Sequence, residues 1–201
     1  MSVRIPWSRP ELAHDAVRRA YSRAAAQPDA THPFPLGRGF ACSLGYPVEL
    51  LSDCPPPCVD AFTGVSNVTM IADIPPGATV LDAGCGAGMD AWIAARAAGP
   101  LGRVIGVDFS QAMLTRARAS LRDAYPLMLF CLAAADALPI AGASIDVAVT
   151  NGLFNLNPDR DAIFRELARV VRPGGVLHAA ELILKEPLPA TEPVDERAWF
   201  A

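Results

Sequence analysis

Charged residues are scarce in this chain: Asp, Glu, Lys and Arg make up 19% of its 201 residues. The 17 basic residues never form a run longer than two, and the net charge is −4. The positive patch that proteins use to bind phosphate backbones is therefore missing, and we expect no nucleic acid partner. Hydrophobic residues make up 52%, which provides for a large core and excludes disorder across the whole chain.

Long hydrophobic runs are also missing. The longest uncharged apolar stretch extends only from Tyr125 to Ala135, whereas a membrane-spanning helix needs roughly 20 residues. The first residues include Arg4 and Arg9, and they lack the apolar segment of a secretory signal. We therefore expect a protein with neither a membrane partner nor a signal for secretion.

Cysteine is sparse and odd in number, with five residues at positions 42, 54, 58, 85 and 131. Such a composition does not indicate a disulfide framework, so the expected location is the reducing cytoplasm. Cys54 and Cys58 enclose three prolines, and an extended proline run would hold their Cα atoms about 12 Å apart. A disulfide needs less than about 7 Å, so we expect no shared bond or metal unless a turn intervenes.

Proline divides the chain into two parts. Residues 1–70 contain nine prolines, which permit only short helices. Ser8 and Glu11 form a capping box that predicts a helix ended by Pro28, and a second short helix is predicted over Val48–Ser52. We interpret residues 1–70 as a helical or irregular cap and residues 71–201 as an α/β domain.

From residue 71 onwards, predicted strands alternate with helices, which is the pattern of a doubly wound parallel sheet. The five strands are predicted over residues 78–81, 103–107, 127–132, 145–150 and 176–184. Ser110 is expected to cap the helix after the second strand, and Asn157 the helix after the fourth, with Pro158 at its first position. Residues 173–175, Pro-Gly-Gly, are expected to end that last helix.

The glycine-rich turn after the first strand is the most informative segment. Gly84, Gly86 and Gly88 lie between a strand and a helix, an arrangement that lets a ligand approach the backbone closely. Their spacing is not that of the dinucleotide fingerprint, and Asp82 would repel a pyrophosphate. A carboxylate at this place suits a cationic ligand that carries an ammonium group.

Acidic residues also follow the next two strands. Asp108 stands where an acid typically binds ribose hydroxyls, and Asp136 is placed to accept a hydrogen bond from an adenine amine. Each feature alone has a plain structural explanation, as a tight turn, a helix cap or a surface loop residue. Their order on successive strand ends favours a nucleoside with an amino-acid tail, which is S-adenosylmethionine (SAM).

Several phrases of the sequence resemble class I SAM-dependent methyltransferases. The phrases shared with the whole class are Val80–Asp90, Gly102–Asp108, Ser110–Met113 and Arg165–Gly175. Those similar to its arsenite methyltransferase-like branch are Leu44–Leu50, Gly64–Asn67 and Thr150–Asp159. The resemblance covers roughly residues 15–200. It implies a Rossmann-like parallel sheet in the strand order 3-2-1-4-5.

The resemblance also implies that SAM is the cofactor and that ten positions contact it. The methionine end is matched by Asp82, Gly84, Gly86 and Gly88, and the ribose is matched by Asp108. The faces of the adenine are matched by Phe109 and Met113, its edge by Asp136 and Ala137, and the methyl-transfer site by Asn151. No catalytic residue and no metal ligand are assigned. A missing general base does not argue against catalysis, because the sulfonium is already an activated donor and in-line positioning supplies much of the acceleration.

Enzymes of the arsenite branch bind their substrate through cysteines, and this chain departs from that pattern. Val65 and Gly152 stand at two of the cysteine positions, and neither side chain can replace the soft thiolates that select such ions. We therefore expect methylation of a small molecule other than arsenite. Two alternatives stay open: a non-catalytic SAM-binding or SAM-sensing domain, and arsenite methylation through other cysteines.

The last residues lead to an expectation about the fifth strand. The family places two further hairpin strands after it, but the 17 residues that follow Leu184 include three prolines and are too few to build them. We therefore expect the fifth strand to lie at the edge of the sheet. Exposed apolar edges pair with other chains, so the alternatives are a homodimer through this edge, a tail folded over it with Trp199 and Phe200, or a longer natural chain, which we favour.

Overall fold

The computed structural model describes residues 10–123, 125–157 and 159–183. Its helices are α1 (Pro10–Ala26), α2 (Gly37–Ser43), α3 (Val48–Asp53), α4 (Pro56–Asp60), α5 (Val68–Ile71), α6 (Met89–Ala98), α7 (Gln111–Leu121) and α8 (Arg160–Val170). Its strands are β1 (Thr79–Ala83), β2 (Arg103–Asp108), β3 (Met128–Leu132), β4 (Ile145–Asn151) and β5 (Val171–Ala180), with a 3₁₀ helix at Phe154–Leu156.

The strands form one parallel sheet in the order β3-β2-β1-β4-β5, which confirms the predicted Rossmann-like fold. The central strand β1 is buried on both faces, as the core of a parallel sheet requires. Val80 faces the side that holds α6 and several N-terminal helices, whereas Leu81 faces the side that holds α8. Within the described ranges, no helix is both long and apolar enough to span a membrane.

The boundaries of β5 differ from the prediction. Pairing with β4 begins at Val171, directly after α8, and continues through Pro173-Gly174-Gly175 across a β-bulge. The Pro-Gly-Gly run therefore lies inside the strand and does not end the helix, which has already ended at Val170. The strand ends at Ala180, and the predicted end at Leu184 lies outside the described residues.

The N-cap predicted from the sequence is confirmed for one helix and is wrong for another. Ser110 caps α7, since its hydroxyl accepts a hydrogen bond from Met113 N at 3.3 Å. The cap of α8 is Asp159, which accepts from Ala162 N at 2.9 Å. The predicted cap, Asn157, instead accepts from Asp159 N at 2.8 Å, so it orders the turn before the helix. Ser8 and Pro158 lie outside the described residues.

The N-terminal segment packs against the sheet domain through α7. Helix α1 contacts α7, where the hydroxyls of Ser22 and Ser110 are 2.9 Å apart, and α4 contacts α7 as well. The predicted helix over residues 48–52 is confirmed as α3, while α2, α4 and α5 were not predicted because prolines obscure helices this short. The division of the chain at residue 70 stays a prediction.

Candidate functional site

The glycine turn between β1 and α6 has the conformation that its glycines predict. Gly84, Gly86 and Gly88 have φ values of +79°, +52° and +89°, a region that side chains rarely tolerate. At Gly88 an added Cβ would lie 2.9 Å from a methyl carbon of Leu121, so this glycine allows α7 to pack closely. At Gly86 the nearest atom is the Met113 sulfur at 3.9 Å, so the backbone there has room for a ligand.

Asp108, at the end of β2, ties the glycine turn to the next helix. Its carboxylate accepts hydrogen bonds from Gly86 N at 2.9 Å and from Ser110 N at 2.7 Å. Burial raises its pKa to about 6, although the hydrogen bonds from these backbone groups act in the opposite direction. Each oxygen keeps a further lone pair, so the carboxylate can still accept hydroxyl groups from a ligand.

Asp82 is the most unusual carboxylate of the site. It is 2% exposed, and its Oδ2 has no hydrogen-bond partner among the described residues. Burial, together with the nearby charges of Asp90 and Asp108, raises its pKa well above the usual range. A buried carboxylate oxygen without a partner is costly, so this position fits a ligand that brings a positively charged donor.

Beside these carboxylates, three side chains form a buried polar cluster, which we call the Asn151 cluster: Tyr46, Asp90 and Asn151. Tyr46 donates to one oxygen of Asp90 at 2.7 Å, and Asn151 Nδ2 donates to the other at 2.9 Å. Asn151 also accepts from the backbone N–H groups of Val65 and Ser66 at 2.7 and 3.1 Å. The cluster thus fastens the loop before α5 to the end of β4 and to α6.

The contact between this loop and the end of β4 is tight. A Cβ added to Gly64 would lie 2.4 Å from Asn151 Nδ2, and one added to Gly152 would lie 3.0 Å from a methyl carbon of Val65. The two positions that the arsenite branch fills with cysteine, Val65 and Gly152, therefore face each other directly. In this chain they form an apolar contact.

A pocket opens at the carboxyl ends of the central strands, where ligands bind in folds of this kind. Of the ten predicted cofactor positions, six line it: Asp82, Gly84, Gly86, Asp108, Phe109 and Asn151. The other four, Gly88, Met113, Asp136 and Ala137, are not among its lining residues. Contact between any of the ten and a cofactor stays a prediction.

Specific packing explains why these four residues lie off the pocket wall. Gly88 packs on α7, and Met113 is fully buried beneath Gly86. Asp136 is engaged by Asn157, whose Nδ2 donates to it at 3.2 Å. Ala137 is exposed, and the preceding residues, Ala133–Ala135, line the pocket instead.

Several lining or supporting residues were not predicted. Helix α1 contributes His14 and Tyr21 to the wall, although their spacing indicates only a helix. Glu181, after β5, accepts hydrogen bonds from the backbone N–H groups of Leu153 and Phe154 and so orders that side of the pocket. Asp90 had a signal in the sequence, since it lies two residues after the last glycine of the turn.

The charges around the pocket have one sign. Its acidic wall residues are Asp82, Asp90 and Asp108, and within the described ranges no Lys or Arg lines it. Burial raises the pKa of Asp90 as well, against the hydrogen bonds from Tyr46 and Asn151. An acidic wall without Lys or Arg favours a cationic ligand, whose positive charge stabilises the ionised form of these carboxyl groups.

Comparison with known proteins agrees with this geometry. The model of a methyltransferase domain family matches residues 80–175. An arsenite methyltransferase of Halobacterium salinarum is 37% identical over 131 residues, which is 65% of this chain and 34% of that protein. A demethylmenaquinone methyltransferase of Lactococcus lactis is 37% identical over 100 residues, 49% of this chain and 40% of that protein.

A solved structure adds to these matches. An arsenic(III) S-adenosylmethionine methyltransferase of Chlamydomonas reinhardtii superposes with a TM-score of 0.59 at 29% identity, covering 77% of this chain and 52% of that one. Residues 80–175 thus resemble the methyltransferase domain of class I SAM-dependent enzymes. The chain spans between about a third and about half of the length of these relatives, so it matches only part of each of them.

The residues around this pocket fit SAM. The unpartnered oxygen of Asp82 lies where an ammonium group is expected, next to a glycine turn with room at its backbone. Asp108 is held by two backbone N–H groups with its remaining lone pairs free for ribose hydroxyls. The acidic wall suits a ligand with two positive centres, an ammonium and a sulfonium.

Proposed function

We propose that this chain binds SAM and transfers its methyl group to a small-molecule acceptor. The observation that carries the proposal is the buried, unpartnered carboxylate oxygen of Asp82 beside the glycine turn. When bound, SAM supplies a methyl group that the sulfonium already activates. The task that remains for the protein is to hold donor and acceptor in line.

Different residues of the chain contribute to this positioning of donor and acceptor. Asp82 binds the ammonium group, and Asp108 binds the ribose while it holds the glycine turn through Gly86 N. Asn151 and Tyr46 fix the loop that carries Gly64, which lines the pocket. Phe62, Leu153 and other apolar residues cover the rest and exclude water.

The charge of the wall supports a particular class of acceptor. An anionic acceptor would have no Lys or Arg to pair with among the described lining residues, and it would meet three buried acidic side chains. A buried charge without a partner is strongly unfavourable. We therefore propose an uncharged or cationic acceptor with an apolar body, which agrees with quinone and arsenic acceptors being named for relatives.

A second candidate function is methylation of trivalent arsenic through cysteines other than those of the arsenite branch. It is favoured by Cys58, which lines the same pocket and could supply a soft thiolate. The contact of Val65 with Gly152 argues against it, because the apolar pair takes the place of two of the expected ligands. We propose that arsenite is not the natural acceptor.

Isothermal titration with SAM, S-adenosylhomocysteine and NAD tests the cofactor. We expect binding of the first two, and binding of NAD alone would overturn the proposal. A screen that follows S-adenosylhomocysteine release over uncharged, cationic and anionic acceptors then tests the acceptor class. SAM binding without turnover of any acceptor would favour the alternative of a SAM-sensing module.

Location and assembly complete the proposal. We place the protein in the cytoplasm, since the described residues hold all five cysteines as free thiols, a state that persists in reducing compartments. We propose a homodimer through the outer edge of β5, with neither nucleic acid nor membrane as a partner. Fractionation of cells and the solution mass of the purified protein test these two statements.

A further inference from the structure

Cys54 and Cys58 lie side by side, contrary to the spacing of an extended proline run. A turn does intervene: Pro56–Asp60 forms α4, and Cys58 N donates to Pro55 O at 3.0 Å. Each of the two thiols is the group that shifts the pKa of the other most strongly, so their sulfur atoms lie close together. Both residues are at most 1% exposed, so the fold keeps two sulfur atoms adjacent in its core.

The two thiols have different surroundings. The pKa of Cys58 is lowered by its neighbours Cys54 and Ser120 and by the Arg116 guanidinium, although burial acts in the opposite direction. Arg116 is fixed there by its hydrogen bond to Pro57 O at 3.2 Å. The neighbouring Cys58 thiol and burial raise the pKa of Cys54. Cys58 is therefore the nucleophile of the pair and Cys54 its neutral neighbour.

The pair is connected to the cofactor pocket. Cys58 lines the pocket, as do Ala61–Gly64, which directly follow α4. A small oxidant that enters the pocket can thus reach Cys58, and a change in α4 would move that part of the wall. The proposed methyl transfer uses neither sulfur, so the pair is chemically free for another role.

We propose that Cys54 and Cys58 form a redox-active dithiol whose substrate is a peroxide. The Cys58 thiolate attacks the peroxide oxygen, which breaks the O–O bond, releases hydroxide and leaves a sulfenic acid on Cys58. The Cys54 thiol then attacks this sulfur, loses its proton and expels the hydroxyl group as water, and a disulfide forms. In sum, two thiols and one hydrogen peroxide give one disulfide and two waters.

Peptide mapping tests this directly. Cleavage before aspartate releases the peptide Asp53–Val59, which contains Cys54 and Cys58 and no other cysteine. After limited treatment with hydrogen peroxide, we expect this peptide to lose two hydrogen atoms, to resist alkylation and to recover after reduction with dithiothreitol. If both residues can still be alkylated when Cys42 and Cys131 have already been oxidised, the proposal is overturned. This measurement uses the wild-type protein, so it does not depend on the folding of a variant.

Variants separate the roles of the two sulfur atoms. In Cys54→Ser the disulfide cannot close, so we expect Cys58 to accumulate as a sulfenic acid that a dimedone probe labels. In Cys58→Ser we expect Cys54 to stay reduced under the same treatment, because it lacks the activating neighbours. Equal labelling of either remaining cysteine would contradict the assigned nucleophile. Cys131→Ser is the matched control and should form the disulfide as the wild type does.

Protection by a ligand tests the route of the oxidant. With S-adenosylhomocysteine at about one hundred times its Kd, only about one pocket in a hundred is free, so oxidation through the pocket should slow by up to about a hundredfold. An unchanged rate with bound ligand would overturn the pocket route. A failure of the ligand to bind would instead count against the proposed function and leave the peptide map valid.

Discussion

At the scale of single residues, Asp108 is the position at which cofactor binding can be measured most directly. Asp108→Ala removes a carboxylate that we expect to accept one or two ribose hydroxyls, so SAM affinity should fall by about 2–4 kcal/mol. The residue is buried, and its carboxylate accepts hydrogen bonds from Gly86 N and Ser110 N. We therefore expect a loss of stability as well, of about 1–3 kcal/mol.

Titration with S-adenosylhomocysteine and urea unfolding measure these two effects separately. Asp123→Ala is the matched control, since this aspartate is exposed on the turn after α7. An unchanged affinity in a folded Asp108→Ala protein would show that the ribose assignment is wrong.

The buried carboxylates also predict opposite pH dependences for stability and for cofactor binding. Burial raises the pKa of Asp108 to about 6 in the folded state, against about 3.9 in the unfolded chain. The stability linked to this shift is complete below the unfolded value and is lost as the pH rises through about 6. Asp82 shifts in the same direction, so the ligand-free protein should be more stable at pH 5 than at pH 7.

Cofactor affinity should change in the opposite sense, because SAM needs the ionised forms of Asp82 and Asp108. Thermal unfolding and titration with S-adenosylhomocysteine at pH 5, 6 and 7 measure the two trends. Asp146 and Glu166, whose pKa values are lowered by their hydrogen bonds, lose their contribution only at lower pH. If stability and affinity rose together across this range, the assignment of the buried carboxylates would be refuted.

The sequence identified the site residues that are local to one motif. Asp82, the glycines and Asp108 could be predicted because strand ends of a parallel sheet meet at one edge. The Asn151 cluster could not be assembled, since Tyr46 and Asn151 lie 44 and 61 residues from Asp90 in the chain. Asn151 was identified from the resemblance, but its hydrogen bonds to a distant loop were not.

At the scale of elements, the Asn151 cluster connects the N-terminal helices to the sheet. Asn151→Ala leaves the N–H groups of Val65 and Ser66 and one oxygen of Asp90 without partners. We expect it to lower the free energy of unfolding by about 2–4 kcal/mol, and to speed amide exchange in residues 64–67. Urea unfolding and hydrogen exchange provide the two readouts.

A second variant in the same cluster serves as the matched control for Asn151→Ala. Tyr46→Phe removes only a hydroxyl from the same cluster and should cost about 1–2 kcal/mol, with a smaller effect on exchange in the loop. A larger loss for Tyr46→Phe than for Asn151→Ala would show that the loop does not depend on Asn151.

Two glycines of the N-terminal segment should respond oppositely to the same substitution. At Gly64 an added Cβ would lie 2.4 Å from Asn151 Nδ2 and 2.6 Å from Phe62 Cζ, so Gly64→Ala should destabilise by about 1–3 kcal/mol through overpacking. Gly39, inside α2, has no atom within 4 Å of such a carbon. Gly39→Ala should therefore stabilise by about 0.5–1 kcal/mol. Equal effects in thermal unfolding would contradict this packing.

Element boundaries show where local patterns mislead. Pro173-Gly174-Gly175 is a typical helix terminator, yet the sheet pairs β5 with β4 through it, because a bulge absorbs the irregular residues. The prolines between Cys54 and Cys58 indicated an extended run, yet they start α4, where proline is tolerated in the first turn. In the first case the pairing of β5 with β4 decides the conformation, and in the second case the helix that follows decides it. A window of a few residues reveals neither.

At the scale of the whole molecule, we expect the outer edge of β5 to determine how copies of the chain meet. Among the described residues, β5 pairs with β4 alone, as the sequence predicted for the fifth strand. Val176 on this strand is 48% exposed, and Ile71 on α5, which contacts β5, is 73% exposed. Unpaired apolar edges recruit further strands, so we expect the 201-residue chain to form a dimer whose population rises with concentration.

Charge placed on this edge should prevent that association, since Lys on an edge strand opposes pairing with another chain. We expect Val176→Lys combined with Ile71→Lys to yield a monomer by analytical ultracentrifugation at concentrations where the wild type is dimeric. Leu101→Lys is the matched control, because Leu101 is 82% exposed in the turn after α6, and its dimer should persist. If the wild-type chain stays monomeric at every concentration, the proposed interface does not exist. If the dimer survives both edge lysines, the interface lies elsewhere. Since the pocket lies at the carboxyl ends of the strands, S-adenosylhomocysteine affinity should be the same in monomer and dimer.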